Sequence, residues 1–163
     1  MNESHPDIWT FQEKLTRRLS LGAGISILLG LGMFLFQTSF WNGVAFQFLG
    51  WALVDLLIAL AGGNAARKRK SRLGPEGAAV AAPGEARSLG RILWINTALD
   101  VVYMLAGLAV AVFLNENHPL WLGTGIGILC QGAFLFFFDW FHAVQVRKFY
   151  SAQINGEEQD PAG

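Results

Sequence analysis

The stretch that decides the fold is residues 92–114, which read ILWINTALDVVYMLAGLAVAVFL. A transmembrane helix needs about 20 mostly apolar residues to cross roughly 30 Å of hydrocarbon. This stretch meets that requirement, and so do residues 19–37, 41–62 and 120–144. The sequence therefore predicts an all-α, polytopic membrane protein, with four transmembrane helices inside residues 19–146.

The composition of the chain supports a membrane protein. Apolar residues make up 53% and charged residues only 15% of the sequence, whereas soluble domains have about 25% charged residues. The formal net charge is zero, so no overall field favours nucleic acid, and we expect none as a partner. The single cysteine excludes an intrachain disulfide or a paired-cysteine metal site.

Basic residues indicate the orientation of the spans, because cytoplasmic loops of membrane proteins carry an excess of Lys and Arg. All twelve basic residues precede the first span, separate the second from the third, or follow the fourth. This predicts a multi-pass protein of the inner (plasma) membrane with both termini in the cytoplasm. The three groups are Lys14, Arg17 and Arg18; Arg67, Lys68, Arg69, Lys70, Arg72, Arg87 and Arg91; and Arg147 and Lys148.

Three segments outside the spans have distinct compositions. Residues 1–18 are predicted to be a cytoplasmic interfacial segment, because Ile8, Trp9, Phe11 and Leu15 give it an apolar side. Residues 64–90 contain a stretch rich in Gly, Ala and Pro and are predicted to be a flexible cytoplasmic linker. Residues 147–163 are polar without periodicity and are predicted to be a disordered cytoplasmic tail.

An internal repeat relates the second span to the fourth. At one constant offset, Gly43, Gln47, Asp55 and Ala59 match Gly127, Gln131, Asp139 and Ala143. The first and third spans match more weakly, with residues 29–31 in the place of residues 106–108. The four helices would then be two hairpins related by an axis along the membrane normal, a parallel repeat. Chance matches in a low-diversity apolar alphabet are the alternative.

Three acids lie inside the spans: Asp55, Asp100 and Asp139. Counted from the nearest basic residue, all three fall at similar depth, in one layer near the cytoplasmic side. An ionised Asp near a helix centre costs about 2.5–3.5 kcal/mol, so the layer is a candidate ion, proton or ligand site; the alternative is a set of polar contacts that hold the helices together. The candidate residues are Gln47, Asp55, Asn96, Asp100, Tyr103, Gln131, Asp139 and His142.

Small residues at intervals of four predict close contacts between the helices, because they let two backbones approach each other. In the first span these are Gly22, Ser26 and Gly30. In the later spans they are Gly107, Gly123 and Gly127.

Three motifs resemble a known family: residues 51–55 (WALVD), residues 95–103 (INTALDVVY) followed by Gly107, and Gln131-Gly132 followed by Asp139 and His142. They are similar to an uncharacterised family of small bacterial four-helix integral membrane proteins. The resemblance runs from the first span to the fourth. It implies the fold and brings no activity with it.

No glycine-rich phosphate loop, nucleophile elbow or paired-cysteine motif is present, so we expect no enzymatic activity, catalytic residue, cofactor or metal site. The first functional hypothesis is a non-catalytic membrane module that scaffolds or regulates a partner through its linker and the basic cluster of residues 67–72. That cluster, which includes Arg67 and Arg72, is also expected to attract anionic lipid headgroups. The alternative is a small ion- or proton-coupled transport-type protein that uses the polar layer. A homodimer or another membrane protein is the expected partner.

Overall fold

The computed structural model describes residues 7–114 and 118–157, with side chains up to residue 147. Helix α1 spans Ile8–Met33 and is followed by a 3₁₀ turn, Phe34–Phe36. Helix α2 spans Ser39–Phe113, and helix α3 spans Pro119–Glu157. The described ranges contain no strand, so the predicted all-α class is confirmed.

All three helices are long and apolar enough to cross a membrane. Large apolar side chains point outward along them: Leu28 is 72% exposed, Leu105 60% and Phe137 62%. A soluble monomer rarely exposes large contiguous apolar patches. The helices and their surface are therefore those of a membrane protein.

Helix α2 reverses its direction at Gly74, where the backbone is not helical (φ 67°, ψ 179°). Glycine adopts positive φ readily, and Pro75 suits the first turn of the helical arm that follows. Trp51 and Tyr103, one in each arm, are hydrogen-bonded to each other, although a straight helix would separate them by about 78 Å. The described ranges thus contain three α-helices rather than the predicted four, because the predicted spans 41–62 and 92–114 fall in the two arms of α2, residues 39–73 and 75–113.

Residues 64–90, predicted to be a flexible linker, are helical on both sides of Gly74. The segment is rich in alanine, which has the highest helix propensity. Two of its alanines, Ala78 and Ala86, are buried in an apolar cluster with side chains from the other helices. Packing and propensity together therefore favour helix where the sequence suggested a linker.

The N-terminal segment is the first part of α1. Asp7 caps the helix by accepting a hydrogen bond from the backbone N–H of Trp9, at 3.2 Å. The apolar side of the segment, with Ile8, Trp9 and Phe11, is buried against the protein itself. Trp9 also donates its indole N–H to the carbonyl of Ala78, at 3.1 Å. Residues 1–6 lie outside the described residues, and an interfacial position of the segment stays a prediction.

The predicted disordered tail, residues 147–163, begins as helix. Helix α3 continues to Glu157, because no glycine or proline interrupts the sequence between residues 147 and 155. The last six residues, 158–163, lie outside the described residues.

The helices have two different ends. At the basic end, the start of α1 meets the Gly74 corner, and Lys70 forms an ion pair with Asp7 at 3.1 Å. At the far end, the 3₁₀ turn and the beginnings of α2 and α3 come together, with Gly43 against Leu120 and Thr124. The candidate site lies between these two ends.

Candidate functional site

Three acidic side chains are buried between the helices. Asp55 lies in the first arm of α2, Asp100 in the second arm and Asp139 in α3, and they are only 3%, 8% and 8% exposed. The charge of Asp100 acts on both of the other carboxyl groups, and that of Asp55 also acts on Asp139. The acidic layer, defined by these three residues, is therefore an assembly of like charges held away from water.

The acidic layer is only partly satisfied by hydrogen bonds. Asn96 forms a side-chain hydrogen bond with Asp139. Atom Oδ2 of Asp100, by contrast, is buried without a hydrogen-bond partner in the described part of the chain. A buried polar atom normally has a partner, and leaving one unmade costs about 1–3 kcal/mol. Oδ2 of Asp100 is therefore an energetically costly feature of the acidic layer.

A pair of aromatic residues lies next to the layer, toward the far end. Tyr103 donates its hydroxyl proton to Oε1 of Gln47, at 3.2 Å. The same hydroxyl oxygen accepts the indole N–H of Trp51, and the two ring centroids are 4.6 Å apart. These contacts join the two arms of α2.

Gln131, the other glutamine among the predicted site residues, forms a comparable side-chain hydrogen bond between α3 and α1. Gln131 is 1% exposed, and its Nε2 donates to Oγ of Ser26, at 3.3 Å. A buried amide with such a partner is a specific contact, because alternative positions would leave its polar atoms unpaired.

His142 lies at the basic side of the layer. Its Nδ1 is 2.6 Å from the backbone carbonyl of Phe138, which can only accept, so Nδ1 carries the ring proton. Its Nε2 then accepts a hydrogen bond from Nη1 of Arg18, at 3.2 Å. Phe11 packs edge-on against the imidazole with ring centroids 6.0 Å apart. The N-terminal part of α1 thus covers His142.

The predicted packing residues lie at helix contacts. A Cβ atom at Gly22 would be 2.8 Å from the ring of Phe134, and one at Gly30 would be 2.9 Å from Leu49. At Gly127 it would be 2.8 Å from Gln47, at Gly107 2.5 Å from Ile128, and at Gly123 it would overlap the carbonyl oxygen of Phe40.

Two residues of the site were not among the predicted candidates: Arg18 and Trp51. Arg18 continues the spacing of four that relates Gly22, Ser26 and Gly30, so extending that stripe by one turn would have found it. Trp51 precedes Asp55 by one turn, but an aromatic residue in an apolar helix carries no signal that distinguishes a hydrogen-bonded indole from a lipid-facing one.

The acidic layer does not have the geometry of a metal centre. Among the described residues, no three His, Cys, Asp or Glu side chains are grouped so that they could hold a metal ion. The carboxyl groups interact through their charges while remaining too dispersed to act as a common ligand set.

The fold and the layer define a class: a helical membrane protein with acidic residues buried between its spans. The particular family follows from sequence similarity. A family of unknown function, DUF6992, matches residues 18–140, and the chain belongs to it. The match includes Arg18 and the three acids and ends just before His142. No curated protein and no solved structure matches the chain significantly.

Proposed function

We propose that this protein is a four-span inner-membrane protein of the proton-coupled, transport type, in which the acidic layer takes up and releases protons. The observation that carries the proposal is that Oδ2 of Asp100 is buried with no hydrogen-bond partner among the described residues, while the charge of this carboxyl group acts on Asp55 and Asp139.

Four spans are supported by the reversal at Gly74. The two arms of α2 each contain one predicted apolar span, and side-chain contacts between the arms hold them side by side. The concentration of basic residues at one end supports cytoplasmic termini. Reporter fusions at Gly74 should therefore give a cytoplasmic signal, and fusions at Thr38 an external one. A periplasmic signal from Gly74 would overturn this topology.

The parallel repeat is supported by two hydrogen bonds. The offset that relates Gln47 to Gln131 is the one seen in the sequence, and the weaker offset between the first and third spans relates Ser26 to Tyr103. Gln47 bonds Tyr103, and Gln131 bonds Ser26. Each glutamine therefore contacts the matching position of the other hairpin, as a twofold axis along the membrane normal requires.

A proton is the ion that fits the layer best. Three carboxylates in hydrocarbon repel one another, and each costs about 2.5–3.5 kcal/mol near a helix centre, so binding positive charge lowers the free energy of the site. A proton needs no cage of ligands, and the described residues offer none for a metal ion. A proton on Asp100 would also make its unpartnered oxygen a donor.

The scaffold hypothesis has less support from the contacts. Within the basic cluster, Arg69 pairs with Glu85 at 2.6 Å and Lys70 with Asp7 at 3.1 Å. These basic side chains therefore have partners inside the molecule. Lys68 and Arg72 are exposed, so contact with anionic headgroups stays a prediction, as do a homodimer and a membrane-protein partner.

The test combines infrared spectroscopy with proton flux. In lipid near neutral pH, the wild type should have a carbonyl band of a protonated carboxyl group, and Asp100→Asn should remove or shift it. Proton flux into vesicles should fall in the same variant, while Glu13→Gln, at an exposed position, should change neither. Absence of the band in the wild type would overturn the proposal. An altered band with unchanged flux would leave the layer as a structural contact and exclude transport.

A further inference from the structure

The acidic layer has unequal surroundings toward the two ends of the helices. Toward the far end, beyond Gln47 and Gln131, α2 and α3 touch through their backbones. A Cβ atom at Gly43 or Gly123 would overlap a carbonyl oxygen of the other helix, and one at Gly125 would be 2.5 Å from the amide nitrogen of Ala111. Such close packing leaves no room for water between α2 and α3 at these positions.

Toward the basic end, the next titratable group after Asp139 is His142. The two are three residues apart on α3 and so share one helix face, where side chains at this spacing are neighbours. His142 is buried, and toward the basic end it contacts the ring of Phe11 and the guanidinium of Arg18, of which Arg18 is exposed. The order along the helices is therefore Arg18, His142 and then the acidic layer.

We propose that His142 is the proton-transfer residue between the acidic layer and the solution at the basic end, and that Arg18 is its gate. This rests on the proposed function, since it assumes that the layer exchanges protons. While Arg18 donates to Nε2, that nitrogen has no free lone pair and cannot take up a proton. The charged group in contact with His142 from α1 is Arg18. One turn deeper on its own helix lies Asp139, on which Asp55 and Asp100 of α2 act.

The transfer moves one proton and changes no other bond. When the Arg18 side chain swings into solution, Nε2 accepts a proton from water and the imidazole becomes an imidazolium. The imidazolium then releases the Nε2 proton to the carboxylate of Asp139, while Nδ1 keeps its proton on the carbonyl of Phe138, so the neutral ring returns in its starting tautomer. The net result is one proton moved from solution to the layer, with His142 and Arg18 unchanged.

The test is the rate of carboxyl protonation after a downward pH jump, followed by time-resolved infrared spectroscopy on the full chain in lipid nanodiscs. His142→Gln should slow the rate by on the order of a hundredfold, the lower end of what a positioned proton-transfer group contributes. Arg18→Gln should raise the rate, because Nε2 is then uncovered. The matched control is His118→Gln, since His118 is an exposed histidine at the far end.

The outcomes separate the two proposals. If the carboxyl group protonates at the same rate in His142→Gln as in the wild type, the His142 route is overturned and the proposed function stands. The same holds if His118→Gln slows the protonation equally. A wild type with no such band would overturn both. If His142→Gln does not fold, Arg18→Gln decides alone: a faster rate supports the gate, and an unchanged or slower rate overturns it.

Discussion

The far half and the basic half of the helices are held together by different forces. In the far half, glycines bring α2 and α3 into backbone contact, and the shape of the surfaces determines the fit. In the basic half, three carboxyl groups and a histidine are buried, and a half-buried asparagine bonds one of the carboxyl groups. In lipid no hydrophobic effect drives helices together, so close packing must supply the stability. The far half can therefore stabilise the molecule, while the basic half contains acidic groups whose burial is unfavourable.

The largest effect should come from filling a backbone contact in the far half. Gly123→Ala places a methyl group onto the carbonyl oxygen of Phe40. Overpacking of this kind typically costs about 1–3 kcal/mol, and more where only backbone can move, so we expect about 3 kcal/mol or loss of folding. Thermal unfolding in detergent measures it.

The matched control is Gly24→Ala, where an added Cβ has nothing within 4 Å. This change should be neutral or stabilise the helix by up to about 1 kcal/mol, the difference in helix propensity. Equal losses of stability in the two variants would mean that close packing of α2 against α3 does not stabilise the far half.

A smaller loss should follow from Ser26→Ala, at the boundary between the two halves. The amide of Gln131 would lose its hydroxyl partner while staying buried, and an unsatisfied buried group costs about 1–3 kcal/mol. Tyr103→Phe removes the matching partner of Gln47 and also the acceptor of the Trp51 indole N–H, so it should cost at least as much. Chemical denaturation of both variants checks this. A loss in only one of them would contradict the repeat.

The smallest effect on stability should come from Asp100→Asn in the basic half. The substitution replaces a carboxyl group that must hold a proton to be neutral with an amide that is always neutral, and Oδ2 has no hydrogen-bond partner among the described residues. We therefore expect unfolding temperatures at or slightly above that of the wild type. Thermal unfolding with Asp139→Asn as the comparison measures it, since Asp139 bonds Asn96. A marked destabilisation by Asp100→Asn would assign this acid to helix packing.

Which residues lie in the interior could be predicted from the sequence where helix periodicity determines it. Asp55, Asp100, Asp139 and Gln131 are buried as their helix faces indicate, and Gly30 and Gly107 lie at contacts. Periodicity could not reveal that Arg18 reaches His142, because a long side chain at a span boundary can point to water, lipid or protein.

The helical state of residues 64–90 depends on contacts that composition does not contain. Glycine and proline there suggested a linker, yet a single glycine conformation at Gly74 makes the turn. The flanking alanines are stabilised as helix by Trp9 and its neighbours at the start of α1. Local sequence gives the propensity of such a segment, whereas the buried cluster arises only when distant parts of the chain meet.

A small change of the angle at Gly74 would move distant parts of both arms of α2. About 28 Å of helix separates Gly74 from Asp55, and about 39 Å separates it from Asp100, at 1.5 Å per residue. A tilt of roughly 10° at the corner would move the end of such an arm by about 5 Å, more than the length of a hydrogen bond. A backbone adjustment at one half-buried glycine can therefore change the distance between two buried carboxyl groups, without any change in the helices that carry them.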